Sequence, residues 1–173
     1  PGIVLIPPNY FLYMQCHDAL VDLLKNYTDR VQVFSIDECF LDMTGMGILG
    51  EPLDVAHKIK DHIKYELGFT VSIGIGSNKL LAKMASEMRK PDAVTVLFPE
   101  DIPGKMWPLP VEELFMVGPA TAPKLHDMGV FTIGDLAKRD RDLLRYKFKS
   151  FADVLWEYAN GIENSTIGES ETI

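Results

Sequence analysis

Phe34-Ser35-Ile36-Asp37-Glu38-Cys39-Phe40-Leu41-Asp42 sets two adjacent carboxylates inside an apolar, strand-forming run. Val31-Gln32-Val33-Phe34-Ser35-Ile36 before the pair and Cys39-Phe40-Leu41-Asp42-Met43 after it are rich in β-branched and aromatic residues, so the stretch reads as strand, acidic turn, strand. Successive side chains of a regular strand leave on opposite faces. Asp37 and Glu38 can therefore serve one site only where the chain turns or bulges between them. Close carboxylates also repel, a cost that a proton or a cation between them removes. A hard divalent cation suits the pair, because Mg²⁺ is commonly held by one or two protein carboxylates while phosphates and water complete its shell. The dipeptide alone does not decide the matter, since acidic residues are also frequent in solvated turns.

Upstream, residues 3–6 are a short apolar strand candidate stopped by Pro7-Pro8, and Asn9 is placed to cap a helix over residues 10–27. Tyr13, Cys16, Leu20, Leu23, Leu24 and Tyr27 fall on one stripe of that helix, while Tyr10 and His17 read as packing or surface. Downstream, the glycines from Thr44 to Gly50 mark a loop without the spacing of a phosphate-cradling fingerprint. Pro52 opens and Gly68 closes a second amphipathic helix, with Leu53, Ala56, Ile59, Ile63 and Leu67 as its apolar stripe. Phe69 to Gly76 alternates as a strand, Ser77 is placed to cap a helix from Asn78 to about Arg89, and Val94-Thr95-Val96-Leu97 is a further strand. Residues 1–100 are thus expected to form an α+β layer, helices on one face of a mostly antiparallel sheet.

From Asp101 the texture changes to Pro103, Gly104, Pro108 and Pro110, which marks an expected domain boundary. Leu109 to Leu125 reads as a short helix, a tight turn and a second helix, continued from Met128 to Ala137. The turn offers backbone donors at Gly118 and Ala120, with Lys124 one helical turn beyond; donors of this kind meet phosphates and follow the nucleic-acid backbone rather than base identity. An ordinary αα-hairpin has the same local pattern. Phe148, Phe151, Val154, Leu155 and Tyr158 outline a last helix, and the polar stretch from Ile162 through Asn164, Ser165, Gly168, Glu169 and Ser170 reads as a linker. Residues 101–173 are therefore expected to be a small helical domain with a C-terminal linker.

With 47% hydrophobic and 24% charged residues, the 173-residue chain has globular composition and no apolar run long enough for a membrane span. It opens on Pro-Gly-Ile-Val without an initiator Met or a basic n-region, so an internal start within a longer protein is expected, and no secretory signal. Cys16 and Cys39 have no metal-ligand spacing and fit a reducing compartment, the cytoplasm. A net charge of -8 argues against indiscriminate nucleic-acid binding. Locally the balance reverses. Residues 79–90 hold four basic against one acidic side chain, and residues 122–149 seven against four, each a net of +3. Such faces can guide DNA to one side of an acidic protein, although solvated helix faces often carry similar runs.

Ser-Ile-Asp-Glu-Cys-Phe-Leu-Asp at residues 35–42 resembles the palm signature of the Y-family, or translesion, DNA polymerases. Ser72 to Ser86, continued through Lys90-Pro91-Asp92, resembles the second signature in the family's order, and Leu109 to Ala137 is similar to the helix-hairpin-helix of the polymerase thumb. The resemblance covers nearly the whole chain and is closest to bacterial UmuC and DinB-type proteins. It implies a partial palm followed by a thumb, and transfer of nucleotides from dNTP to a primer 3′ end with two Mg²⁺ ions during bypass of DNA damage. Asp37 and Glu38 would be metal ligands, Glu38 also the catalytic acidic residue, and Lys90 the contact to the incoming triphosphate. Primer-template DNA and dNTP would be the partners, with a sliding clamp engaged through other segments. Family members also carry a further metal-binding Asp on an early strand, a fingers domain and a little-finger domain, none of which is matched here. The 173 residues alone are therefore expected to be catalytically incomplete. Met116 stands where the thumb hairpin usually has its first glycine, which weakens the expectation of close phosphate approach there. Two other readings share parts of the pattern. One is a non-catalytic DNA-binding or scaffolding protein on this fold, against which Asp37, Glu38 and Lys90 together weigh. The other is a palm-like nucleotide cyclase, in which a helix-hairpin-helix would be out of place.

Overall fold

The computed structural model describes residues 2–168, so the end of the polar tail, including Glu169 and Ser170, lies outside the described residues. The chain divides into two compact units, Pro1–Thr70 with Thr166–Ile173, and Val71–Ser165. Among the described residues no helix is long and apolar enough to cross a membrane.

In the first unit α1 (Tyr10–Leu24) begins where Asn9 caps it, its side chain accepting from the Leu12 amide at 3.1 Å. Burial follows the expected stripe only in the second half of the helix, at His17, Leu20, Val21, Leu23 and Leu24, whereas Tyr10 through Met14 are exposed. The strand expected at residues 3–6 does not form. Ile3, Val4, Leu5 and Ile6 are exposed and pair with no other strand among the described residues, and an apolar run without a partner gains nothing from strand geometry. β1 (Val31–Ser35) and β2 (Glu38–Leu41) form an antiparallel hairpin. α2 (Pro52–Leu67) has Pro52 in its first turn and ends on Gly68 in the left-handed region, φ 76°, whose amide donates to the Lys64 carbonyl at 3.2 Å. Its buried face, Val55, Ala56, Ile59 and Ile63, packs on α1, and Tyr27 Oη lies 2.8 Å from His62 Nδ1.

The second unit opens with β3 (Ile73–Ile75), α3 (Lys79–Met88) and β4 (Val94–Val96). The mostly antiparallel sheet expected from alternation is instead two separate pairs, because β3 and β4 are parallel, in register Ile73↔Val94 to Ile75↔Val96. The physical reason is the connection: a crossover helix returns the chain to the end at which β3 began. The strand expected over residues 69–76 shrinks to the three residues that find a partner. Asn78 rather than Ser77 caps α3, its Oδ1 accepting from the Leu81 amide at 2.9 Å while its Nδ2 donates to the Gly161 carbonyl at 2.9 Å. Gly74 and Gly76 let α3 lie directly on β3. A Cβ at Gly74 would stand 1.9 Å from the Ala82 carbonyl oxygen, and one at Gly76 2.6 Å from the Ala82 amide nitrogen.

α4 (Ala122–His126), α5 (Ile133–Ala137), α6 (Arg141–Phe148) and α7 (Phe151–Ala159) complete this unit. The single last helix expected around residues 148–158 is divided, since Lys149 takes φ 56° and turns the chain between α6 and α7. The composition break at Asp101 is not a packing break. Leu80, Leu81, Met84, Ala85 and Leu97 share one core with Ile102, Met106, Leu125, Leu136, Leu144 and Leu155, so the division between compact units falls at residue 70 instead. Two three-residue strands cannot cover the apolar face of α3, and the helices that follow do so.

Candidate functional site

The hairpin pairs Val33 with Cys39 and Ser35 with Glu38, with a shift of register between Val33 and Ser35 that leaves Ile36 and Asp37 as the turn. This is the irregularity that two adjacent acids need in order to face one site. Ser35 Oγ lies 2.7 Å from Asp37 Oδ1 and 3.4 Å from Glu38 Oε2. A hydroxyl carries one proton, so it serves Asp37, with Glu38 at the limit of its reach. Asp37 is exposed and Glu38 half-buried. Beneath the turn the buried His17 places Nδ1 2.9 Å from the Ile36 carbonyl oxygen. Cys39 follows the pair, and burial pushes its thiol up, away from the reactive thiolate.

The third acid of the stretch has a structural role. Asp42 pairs with Arg30 at 2.8 Å and accepts from the Thr44 amide at 2.8 Å. Hydrogen bonds from the Thr44 side chain, the Arg30 guanidinium and the Thr44 amide hold its carboxyl down at about 2.

Lys90 belongs to the second unit. Its ammonium lies 2.7 Å from Glu87 Oε2, and Lys83 Nζ lies 3.0 Å from Oε1 of the same carboxylate. Burial works to raise the Glu87 carboxyl, but the hydrogen bonds from Lys90 and Lys83 hold it below its ordinary value. One carboxylate thus holds two ammonium groups, that of Lys90 exposed and that of Lys83 largely buried.

Before α4 lies a single 3₁₀ turn, Val111–Glu113, anchored by Val111 and Leu114 in the core. The tip from Gly118 to Ala120 is exposed, and the amides of Gly118 and Ala120 donate no hydrogen bond among the described residues. Thr121 and Ala122 turn inward and donate to the Gly118 carbonyl at 2.9 and 3.0 Å. Lys124 is exposed and makes no ion pair among the described residues. Met116 takes φ 74° with its side chain exposed, so a left-handed position is filled here without glycine. The basic run at residues 122–149 is partly spent internally. Arg141 and Arg145 each reach Asp153 at 2.8 Å, and Arg141 also stacks over Trp156 at 4.6 Å.

The structure therefore brings Asp37 and Glu38 together at Ser35, gathers Lys90 and Lys83 at Glu87, and sets Gly118, Ala120 and Lys124 on or beside one exposed tip. Sequence reasoning missed Ser35, His17 and Glu87. Glu87 is legible in hindsight from helical spacing, four residues after Lys83 and three before Lys90. His17 carries no such signal.

The model of the impB/mucB/samB family matches residues 1–87, and that of the IMS family HHH motif matches residues 99–130. The chain is 49% identical over 167 residues to DNA polymerase IV of Clostridium acetobutylicum, covering 96% of this chain and 42% of that protein. It is 40% identical to DNA polymerase IV 1 of Bacillus subtilis, covering 96% and 40%. Among solved structures it matches DinB from Sulfolobus solfataricus with a TM-score of 0.85 at 26% identity, over 96% of this chain and 50% of that one. It also matches an insertion ternary complex of Dbh DNA polymerase with a TM-score of 0.86 at 25% identity, over 98% and 50%. The chain thus spans less than half the length of these curated relatives. A family model over half of its residues and relatives at this level of identity show that it belongs to the impB/mucB/samB family, the Y-family DNA polymerases of the DinB and UmuC type.

Proposed function

We propose that this chain is the palm-and-thumb portion of a template-directed translesion DNA polymerase that transfers nucleotides from dNTP to a primer 3′ end. The observation that carries the reading is the bulged acidic turn, where Asp37 and Glu38 share the reach of one serine hydroxyl. Two carboxylates are the number Mg²⁺ commonly takes from protein, and an exposed turn leaves its other positions to phosphates and water. Bound there, divalent cations supply charge neutralisation at the attacking and leaving oxygens. Asp37 and Glu38 would hold them, with Glu38 as the catalytic acidic residue. Lys90 would leave Glu87 to meet the triphosphate as a point charge. The exposed amides of Gly118 and Ala120, with Lys124, would meet DNA phosphates without reading bases.

In function, residues 1–100 would serve as palm and residues 101–173 as thumb and linker, although buried side chains from residue 80 to residue 159 share one core across that division. Primer-template DNA and dNTP are the partners, in the cytoplasm at the nucleoid, and a sliding clamp recruits the protein through other segments. These 173 residues alone fold but do not polymerise, because two carboxylates leave Mg²⁺ largely hydrated and positioning of both reactants is most of the catalysis.

The test is primer extension by the full gene product that contains this chain, with Mg²⁺, dNTP and a primed template. Asp37→Ala and Glu38→Ala are each expected to remove most of the activity. A Glu38→Ala protein that extends primers at the wild-type rate overturns the assignment.

A further inference from the structure

Ile36 and Asp37 are the two residues between paired Ser35 and Glu38. Two-residue hairpin loops fit the twist of their strands when one or both central residues take positive φ. Neither does here: the described non-glycine residues with positive φ are Asp92, Met116 and Lys149. The turn is thus of a kind that splays its strands, and the register shift between Val33 and Ser35 takes up the mismatch. Nor does packing hold it, since Ile36 is 42% exposed and Asp37 lies open to solvent. The Ile36 carbonyl accepts no backbone hydrogen bond among the described residues. Its partner is the Nδ1 of His17 at 2.9 Å, from a side chain only 9% exposed on α1. A carbonyl can only accept, so Nδ1 carries the hydrogen, as it does in both the neutral Nδ1–H form and the imidazolium.

We infer that His17 is a positioning residue: its hydrogen bond to the Ile36 carbonyl fixes the peptide that leads into Asp37, and with it the spacing at which Asp37 and Glu38 meet a cation. The inference rests on the reading that these two carboxylates hold a divalent cation. α1 supplies the rigidity that the turn lacks. The Ile36 carbonyl oxygen belongs to the peptide plane that also contains the Asp37 nitrogen, so holding that oxygen restrains the plane from which the Asp37 Cα departs, and without it the turn is freer to change the direction in which Asp37 leaves the chain. A histidine that only filled space would leave this plane free.

The test uses the 173-residue chain, with ¹⁵N relaxation at Asp37 and Glu38 measured without metal and Mn²⁺ titration followed by paramagnetic broadening. Wild type is expected to show rigid amides at the turn and Mn²⁺ binding that Asp37→Ala removes. In His17→Ala the order parameter at Asp37 should fall from about 0.85 towards about 0.6, and Mn²⁺ affinity should fall about fivefold, as expected for one lost hydrogen bond. His17→Asn should restore both, because its amide nitrogen lies as many bonds from Cβ as Nδ1 does; His17→Gln, one bond longer, should not. Unchanged Mn²⁺ affinity in a folded His17→Ala protein overturns the inference, as does an Asn variant no better than Ala. If wild-type Mn²⁺ binding does not depend on Asp37, the cation reading falls instead. The order parameters then judge the pin alone: unchanged values in His17→Ala overturn it, and lowered values that Asn restores uphold it.

Discussion

Gly74→Ala is expected to be strongly destabilising, although the new side chain is a single methyl group. Its Cβ would stand 1.9 Å from the Ala82 carbonyl oxygen, 2.5 Å from the Ser86 nitrogen and 2.9 Å from the Ala82 carbonyl carbon. All three are backbone atoms of α3, so no change of rotamer relieves the contact. To restore an ordinary separation α3 must withdraw from β3 by about 1.5 Å, taking Leu80, Leu81, Met84 and Ala85 with it through an interior that is already close-packed. Overpacking commonly costs about 1–3 kcal/mol, and with backbone on both sides the upper end applies. For a chain of this size about 3 kcal/mol lowers Tm by roughly 6–12 °C. Gly74 does not sit in the left-handed region, so the reduced freedom of the unfolded chain favours alanine by about 0.4–1 kcal/mol. A net loss of stability therefore isolates the clash. Thermal and guanidinium unfolding followed by circular dichroism measure it, with Gly118→Ala as the control, where a Cβ meets nothing within 4 Å. The control should stay within about 0.5 kcal/mol of wild type. A Gly74→Ala protein as stable as the control refutes the reasoning.

Asp42→Asn removes a carboxyl that the native state holds at about 2, against 3.8 for an ordinary one. A depressed value stabilises above the unfolded pKa, so the advantage of wild type over the variant should be full above pH 3.8 and vanish as pH falls through about 2; melts across that window would contradict this by showing a constant difference. Lys124→Ala should weaken binding of the full gene product to duplex DNA equally across sequences and reduce the slope of log K against log salt by about 1, measured by fluorescence anisotropy. An unchanged slope removes Lys124 from the phosphate contacts.

Local chemistry was the most legible part of this fold. Pro52 and Gly68 bound α2 because one tolerates a missing amide donor and the other a left-handed φ, both properties of a single residue. The acidic turn was legible from its flanks, since apolar strand-forming residues on both sides of two consecutive acids read as strand, turn, strand. What depended on partners was not. Residues 3–6 have the composition of a strand and no strand to pair with, while alternation at residues 69–76 could not reveal that only Ile73–Ile75 would be paired, or that the pairing would be parallel. The glycines at 74 and 76 looked like strand residues, yet their function is to admit the backbone of α3. In the site the charges were visible, but the reading of Lys90 as a triphosphate contact did not include its pairing with Glu87, which the spacing allows and the structure shows.

The hydrogen bond from Asn78 to the Gly161 carbonyl, with that from Trp107 Nε1 to the Ala159 carbonyl at 3.0 Å, ties the first helix of the second unit to its last residues. On the ribosome this imposes an order of events. β3, α3 and β4 are complete by residue 96, but the α7 residues that share their core emerge roughly sixty residues later, a wait of several seconds at about 5–20 residues per second. For that interval Leu81 lacks the cover that the segment at Gly161 brings, and the nascent chain carries an apolar helix face that is only partly hidden.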